Sequence, residues 1–159
     1  MKKLTVILGL LIFIAACSNN DTRSASDSDQ FDSTAIATKD ANPSYDPHRG
    51  EGKFKKVDLQ ASLDGAMATS GEKVYSVKCS GCHKTTDEKL VGPGWKGVTS
   101  RHAPEWIMNF ITNTDAMLDK DPKAQAQLEI CLVRMPNQNL ADEDARALLE
   151  YMRKNDGVK

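Results

Sequence analysis

The spacing of hydrophobic positions divides the chain into three unequal parts. After Met1-Lys2-Lys3, the thirteen residues from Leu4 to Ala16 are apolar apart from Thr5 and a permissive Gly9. Apolar positions then become sparse, and beyond residue 64 they return at helical spacing. Between Asp64 and Lys78, Met67, Gly71, Val74, Tyr75 and Lys78 recur along one face, with Val74 and Tyr75 expected as the buried pair. Gly71 in mid-helix costs about 1 kcal/mol relative to Ala, which predicts a close helix crossing there. A second helix begins at Pro104, a residue suited to the first turn, and carries Trp106, Ile107, Phe110 and Ile111. Asp121-Pro122 predicts the start of a third, ending near Val133 before Pro136. The last runs from about Asp142 to Asn155, with Ala145, Leu148, Leu149 and Met152 on one stripe, and stops at Gly157. Neither a strand pattern nor an internal repeat is visible, so the expected fold class is all-α.

The first segment reads as an address. A membrane-spanning helix needs roughly 20 apolar residues, so Leu4–Ala16 is too short to span and fits a secretory h-region. Ile14-Ala15-Ala16-Cys17 resembles a bacterial lipoprotein box, which implies that Cys17 is lipidated and becomes the mature N-terminus. Acyl chains at ~0.8 kcal/mol per buried methylene would then hold the protein on a bilayer without crossing it.

Residues 18 to 48 contain six Asp, six Ser and three Thr, and apart from alanines only Phe31, Ile36 and Tyr45 are apolar. Such a stretch buries too little surface to offset its ordering entropy. Ser18 to Gly65 is therefore expected to be a flexible tether, with an end-to-end distance of about 35 to 40 Å. Within it, Lys53 to Leu59 alternates weakly, as an extended arm packed on the domain would. The expected organisation is a signal peptide over 1–16, a lipidated Cys and tether over 17–65, and a globular domain over 66–159.

Composition narrows the class further. The 159 residues hold 21 Lys+Arg and 22 Asp+Glu, a formal charge of -1, with 40% hydrophobic and 6% aromatic residues. That excludes a polytopic membrane protein and a strongly basic nucleic-acid binder. The acidity lies in residues 18 to 48, with two basic and six acidic groups, while residues 66 to 159 hold thirteen of each. Partner recognition must then come from local patches. A helical domain of roughly 90 residues with few large aromatics also has a limited core, one that a large buried cofactor would complete.

The four cysteines, at 17, 79, 82 and 131, carry the chemistry. Cys79-Ser80-Gly81-Cys82-His83 closes the first helix. Two thiols three positions apart can add to the two vinyl groups of one porphyrin edge, with the adjacent His83 reaching the iron. Two other readings exist for these residues. A thioredoxin-like dithiol calls for a βαβ context that the helical pattern lacks. A zinc site from Cys79, Cys82, His83 and Cys131 has suitable donors, but adjacent Cys82 and His83 converge poorly on one tetrahedral ion.

Gly71 to His83 resembles the N-terminal helix and haem-attachment segment of class I c-type cytochromes. Arg134-Met135-Pro136 resembles that family's Met-ligand loop, implying Met135 as second axial ligand beside His83. Val91 to Val98 resembles its Gly-Pro loop, where the carbonyl of Pro93 would orient His83 and Trp95 would line the haem crevice. Leu148 to Met152 resembles the C-terminal helix, with Tyr151 expected against Gly71. The implied fold is the small cytochrome c fold, helices wrapped around one covalently bound haem c. Met67, Met108, Met117 and Met152 are expected in packing, and His48 and His102 in solvent. Cys131 departs from the family pattern and is expected as a small buried apolar residue, with dimerisation or substitute ligation as alternatives. Cys131 to Leu140 is also similar to the small haem lipoproteins found with bacterial nitrous-oxide reductases.

The resemblance implies a periplasmic, membrane-tethered monohaem electron carrier serving a terminal reductase or oxidase, with redox proteins as partners and neither a nucleic acid nor a small-molecule substrate. Lys84, Lys89, Lys96, Arg101 and Arg134 flank the motifs as a candidate basic docking rim. The alternatives are a ligand sensor or weak peroxidase with an open coordination site, and a fixed cytochrome subunit of a respiratory complex.

Overall fold

The structure is a computed structural model that describes residues 45–159. The expected signal peptide, Cys17 anchor and first part of the expected tether, up to residue 44, lie outside the described residues. Six helices follow in order: α1 (Gly65–Lys78), α2 (Val98–Arg101), α3 (Pro104–Thr112), α4 (Thr114–Lys120), α5 (Pro122–Cys131) and α6 (Asp142–Asn155). Among the described residues there is no strand, only an isolated bridge between His83 and Lys89. None of the described helices is long and apolar enough to cross a membrane.

Local chemistry accounts for most of these boundaries. Asp64 caps α1 by accepting from the Met67 N–H at 2.9 Å, and Asp121 caps α5 through the Ala124 N–H at 2.8 Å. Pro104 and Pro122 stand in the first turns of α3 and α5, where a missing N–H costs nothing. Helix α6 opens with Asp142, Glu143 and Asp144 and closes with Arg153 and Lys154, both favourable to the helix dipole. Helix α5 ends on Leu132 in the left-handed region (φ 61°), which turns the chain toward Met135.

The buried apolar cluster is drawn mainly from α3, α4 and α6, and α1 packs across α6. Gly71 is buried there, and a Cβ on it would lie 2.5 Å from the Ala147 carbonyl carbon and 2.9 Å from Tyr151 Cβ. The expected contact with Tyr151 is thus present, but the backbone of Ala147 comes closer. Val74 and Tyr75, expected as the buried pair of α1, are only half-buried. The fully buried positions are Ala68 and Gly71, because the crossing leaves no room for larger side chains. Ala145, Leu148, Leu149 and Met152 of α6 and Trp106, Ile107 and Ile111 of α3 are buried as expected, with Met108 and Met117 beside them. Two helices were not expected: α2, of four residues, and α4, whose Met117 and Leu118 are too few to make a visible period.

Residues 45 to 64, expected as the last part of a tether reaching residue 65, instead lie against the helices. The buried side chain of Asn109 donates to the carbonyls of Arg49 and Phe54 and accepts from the Phe54 N–H, each at 2.9 Å. The Val57 N–H reaches Glu105 at 2.8 Å and the Asp64 N–H reaches Glu150 at 2.9 Å. Phe54, Val57 and Leu59 pack on the core, as the alternation of Lys53 to Leu59 suggests. Backbone groups satisfied by buried side chains, together with these apolar contacts, offset the ordering entropy that composition alone would leave unmet.

Candidate functional site

The site is built on the turn that ends α1. The N–H groups of Cys79 and Ser80 both reach back to the Tyr75 carbonyl at 2.9 Å, and those of Cys82 and His83 reach the Cys79 carbonyl at 3.0 and 2.9 Å. This winding leaves Cys79 buried in the hydrophobic core and Cys82 exposed. The Tyr75 hydroxyl donates to the His83 carbonyl at 2.8 Å and ties the far side of the turn to the helix.

The loop from Leu90 to Trp95 folds over this turn. The N–H groups of Val91 and Gly92 donate to the Cys82 carbonyl at 3.2 and 2.9 Å, and the Trp95 N–H donates to Lys84 at 2.9 Å. That brings the Pro93 carbonyl within 2.9 Å of His83 Nδ1. A carbonyl only accepts, so Nδ1 carries the proton and Nε2 keeps its lone pair. Burial lowers the His83 pKa, with the Pro93 hydrogen bond opposing it, so the ring is neutral. Trp95 is buried beside it, with ring centroids 5.6 Å apart, and Tyr75 packs on Trp95 at 4.9 Å.

His83, Pro93 and Met135 line a cavity of two adjoining lobes together with Phe110 and Gln127. Cys82, Leu128 and Cys131 wall one lobe, and Trp95, His102 and Met152 the other. Cys79 lines neither lobe. Cys131, expected to be buried, is half-buried at the end of α5 because one side of it faces this cavity. His102, expected in solvent, is half-buried and stacked on Trp106. His48 is exposed. Gln127 and Phe110 were not foreseen as cavity residues. Phe110 lies on the predicted apolar face of α3, whereas nothing local marks Gln127.

The candidate docking rim is partly neutralised. Lys84 pairs with Glu88 at 2.7 Å, and Arg134 pairs with Asp119 and Asp115 at 2.9 and 3.2 Å. Lys89 donates to the Ile130 carbonyl at 2.9 Å, and Arg101 donates to the carbonyls of Lys96 and Gly94.

The two other readings of the cysteines find little here. Burial pushes the Cys79 thiol up to about 11, the reverse of an activated dithiol. Among the described residues, no group of three or more His, Cys, Asp or Glu side chains is placed to hold an ion.

A helical domain whose neutral histidine presents Nε2 beside a largely apolar cavity, next to a CxxCH turn, defines a c-type haem protein. The cytochrome c family model matches residues 68–156. Cytochrome c from Rhodothermus marinus is similar in structure, with TM-score 0.64 and 34% identity over 66% of this chain and 90% of that one. Engineered cytochrome c Rma TDE from the same organism gives 0.63 and 33% over the same shares. That engineered protein bound to a carbene intermediate gives 0.61 and 33%, again over the same shares. No curated protein matches. The chain belongs to the cytochrome c family, whose members are haem proteins of electron transfer, and its cofactor is covalently bound haem c.

The residues present fit that group. The cavity walls are mainly apolar, one imidazole nitrogen is available beside them, and a side chain at Gly92 would overlap the His83 ring.

Proposed function

We propose that Cys79 and Cys82 would hold haem c by thioether bonds, that His83 and Met135 would ligate its iron, and that the protein passes single electrons to a periplasmic terminal reductase or oxidase. Haem supplies one-electron exchange between ferric and ferrous iron. The observation that carries the reading is the pairing of His83 Nδ1 with Pro93, which leaves Nε2 free on a cavity that Met135 also lines.

The chain's own part is positional. Pro93 fixes the tautomer and rotation of His83, and Trp95 and Tyr75 wall it off from water. The left-handed turn at Leu132 and the clamp of Arg134 on Asp115 and Asp119 anchor the Met135 loop to α4. A thioether favours ferrous iron and raises the potential relative to a second imidazole. With His83 and Met135 both holding the group, no position would be left open to a substrate, and the chemistry it would supply is electron exchange alone. Reduced and oxidised optical spectra test this directly. The weak near-infrared sulfur-to-ferric-iron band should be present in the wild type and absent in Met135→Ala, and its persistence in the variant would remove Met135 from the site.

The membrane tether through Cys17 is part of the proposal and rests on the lipoprotein box. Cys17→Ser should release the haem protein from membranes into the soluble periplasmic fraction. For the acceptor, the likeness of Cys131 to Leu140 to haem lipoproteins found with nitrous-oxide reductase makes that enzyme the first to try. Rapid oxidation of the ferrous protein by purified nitrous-oxide reductase supports it, and no reaction directs the search to other terminal oxidants.

A further inference from the structure

The C-terminal end of α6 reaches across to the loop that carries Pro93. Asp156, the residue after the helix, accepts from the Gly97 N–H at 2.6 Å, from the Thr99 N–H at 2.9 Å and from the Thr99 hydroxyl at 2.6 Å. Helix α2 has no side-chain cap of its own, because Gly97 stands at its N-cap. The Asp156 carboxylate takes the place of that missing cap from 57 residues along the chain. Beside it, the side-chain amide of Asn155 donates to the Thr85 carbonyl at 2.9 Å.

Both residues stand on a fixed support. Helix α6 closes in a Schellman turn, with the Gly157 N–H on the Lys154 carbonyl at 3.1 Å, the Val158 N–H on the Arg153 carbonyl at 3.0 Å and Gly157 at φ 93°. The Lys159 carbonyl then accepts from the Leu63 N–H at 3.0 Å, which ties the chain end to the arm.

What they hold is the pair of legs on either side of the contact between His83 and Pro93. Thr85 lies two residues after His83, and Gly97 four residues after Pro93. The legs are bonded to each other by the Trp95 N–H on the Lys84 carbonyl at 2.9 Å and the Lys96 N–H on the Thr86 carbonyl at 3.2 Å. Gly94 lies so close to the first leg that a Cβ on it would stand 2.6 Å from the Asp87 carbonyl carbon. Only residues 94 to 96 separate Pro93 from Gly97, too short a span to absorb a shift, so a movement of Gly97 passes to the Pro93 carbonyl.

We infer that Asp156, with Asn155 beside it, is a positioning residue for His83. By locking the two legs in place it sets the hydrogen bond from His83 Nδ1 to the Pro93 carbonyl, 2.9 Å long. That bond raises the basicity of the imidazole. A more basic imidazole favours ferric iron, so a looser bond should raise the potential. This rests on the haem reading of His83 and adds to it two residues that the CxxCH, Pro93 and Met135 signals do not mark.

The test uses the haem-loaded protein and two readouts, the nitrogen-15 and proton shifts of His83 Nδ1–H in the ferrous form and the midpoint potential. In Asp156→Ala the Nδ1–H signal should move toward that of a weaker hydrogen bond, and the potential should rise. Asp156→Asn, which keeps one acceptor oxygen, should recover part of both changes. Asn109→Ala, weakened through the arm and not through this loop, should change neither. An unchanged Nδ1–H signal and potential in Asp156→Ala, with the Soret band showing haem in place, overturns the inference and leaves the haem site standing. An equal shift in Asn109→Ala also overturns it, since loss of stability alone would then move His83. Wild type without haem overturns the site itself. Should Asp156→Ala fail to fold, Thr99→Val, which removes only the hydroxyl bond, decides: a smaller change in the same direction supports the inference and none overturns it.

Discussion

Gly92 lies flat against the imidazole of His83, so that a Cβ built on it would stand 2.7 Å from Nδ1 and 2.8 Å from Nε2. The ring is thereby trapped between the backbone at Gly92 and the carbonyl of Pro93. Both hold it in the rotation that presents Nε2, one by excluding other positions and one by its hydrogen bond.

Gly92→Ala should force the ring aside at a cost of about 1–3 kcal/mol, the usual range for overpacking a tight site. Denaturant unfolding followed at the Soret band measures the loss. A shift of the ferric protein toward high spin should accompany it, because the misplaced imidazole binds more weakly. Unchanged stability and spin state would show that the loop gives way at no cost.

The crossing of α1 and α6 yields a paired test. Gly71→Ala would drive a methyl into the Ala147 carbonyl, and the two backbones would have to separate. A loss of about 1–3 kcal/mol is expected. Gly65→Ala, at the start of the same helix with nothing within 4 Å of the new methyl, should be neutral or stabilise by up to about 1 kcal/mol. Equal effects at the two positions would mean that helix propensity, and not the crossing, sets the outcome.

What could be read from sequence, and what could not, follows the range of each interaction. Helices α1, α3, α5 and α6 announce themselves through Asp64, Pro104, Asp121-Pro122 and the stripe ending at Met152, all within a turn or two of the element they define. The haem-attachment motif is equally local, five consecutive residues. Helix α4 has two buried apolar residues in seven and no side-chain cap, so no pattern survives to be seen. Asn109 and Gln127 act through partners far along the chain, and a polar residue in the middle of a helix looks solvated until its partner is known. For the same reason the docked arm has the sequence character of a tether.

Asn109 therefore makes the sharpest test of the arm. Asn109→Ala leaves the Phe54 N–H and the carbonyls of Arg49 and Phe54 without the partner that buries them. A loss of about 2–3 kcal/mol is expected. Hydrogen exchange at Phe54 and Val57 should rise sharply, while exchange in α6 changes only with global stability. If protection at Phe54 persists, the arm is held by its apolar contacts alone.

Docking should respond only weakly to salt. Two of the five rim cations, Lys84 and Arg134, are matched by carboxylates within 3 Å, so the local field that would steer an acidic partner is reduced. Stopped-flow rates with the physiological acceptor should change less than about tenfold between low and high ionic strength. Glu88→Gln, which frees Lys84, should steepen that dependence. A steep salt slope in the wild type would mean that Lys89, Lys96 and Arg101 suffice.

Glu150 links acid stability to the arm. It is fully buried, and burial alone would raise its pKa. Hydrogen bonds from the Asp64 N–H (2.9 Å), Arg146 (2.7 Å) and Arg153 (2.7 Å) outweigh burial, and the net direction is down. A carboxyl with a depressed folded-state pKa contributes stability that is fully present above its unfolded value, roughly pH 4.3, and is lost as pH falls through the folded value. Unfolding free energy should therefore decline below about pH 4.5 in the wild type. Glu150→Ala should lose about 3 kcal/mol at neutral pH, since it strands the nearly buried Arg153 that also holds the Gln60 carbonyl, and its acid limb should be shallower. A variant that keeps the full wild-type acid slope would assign that slope to other carboxylates.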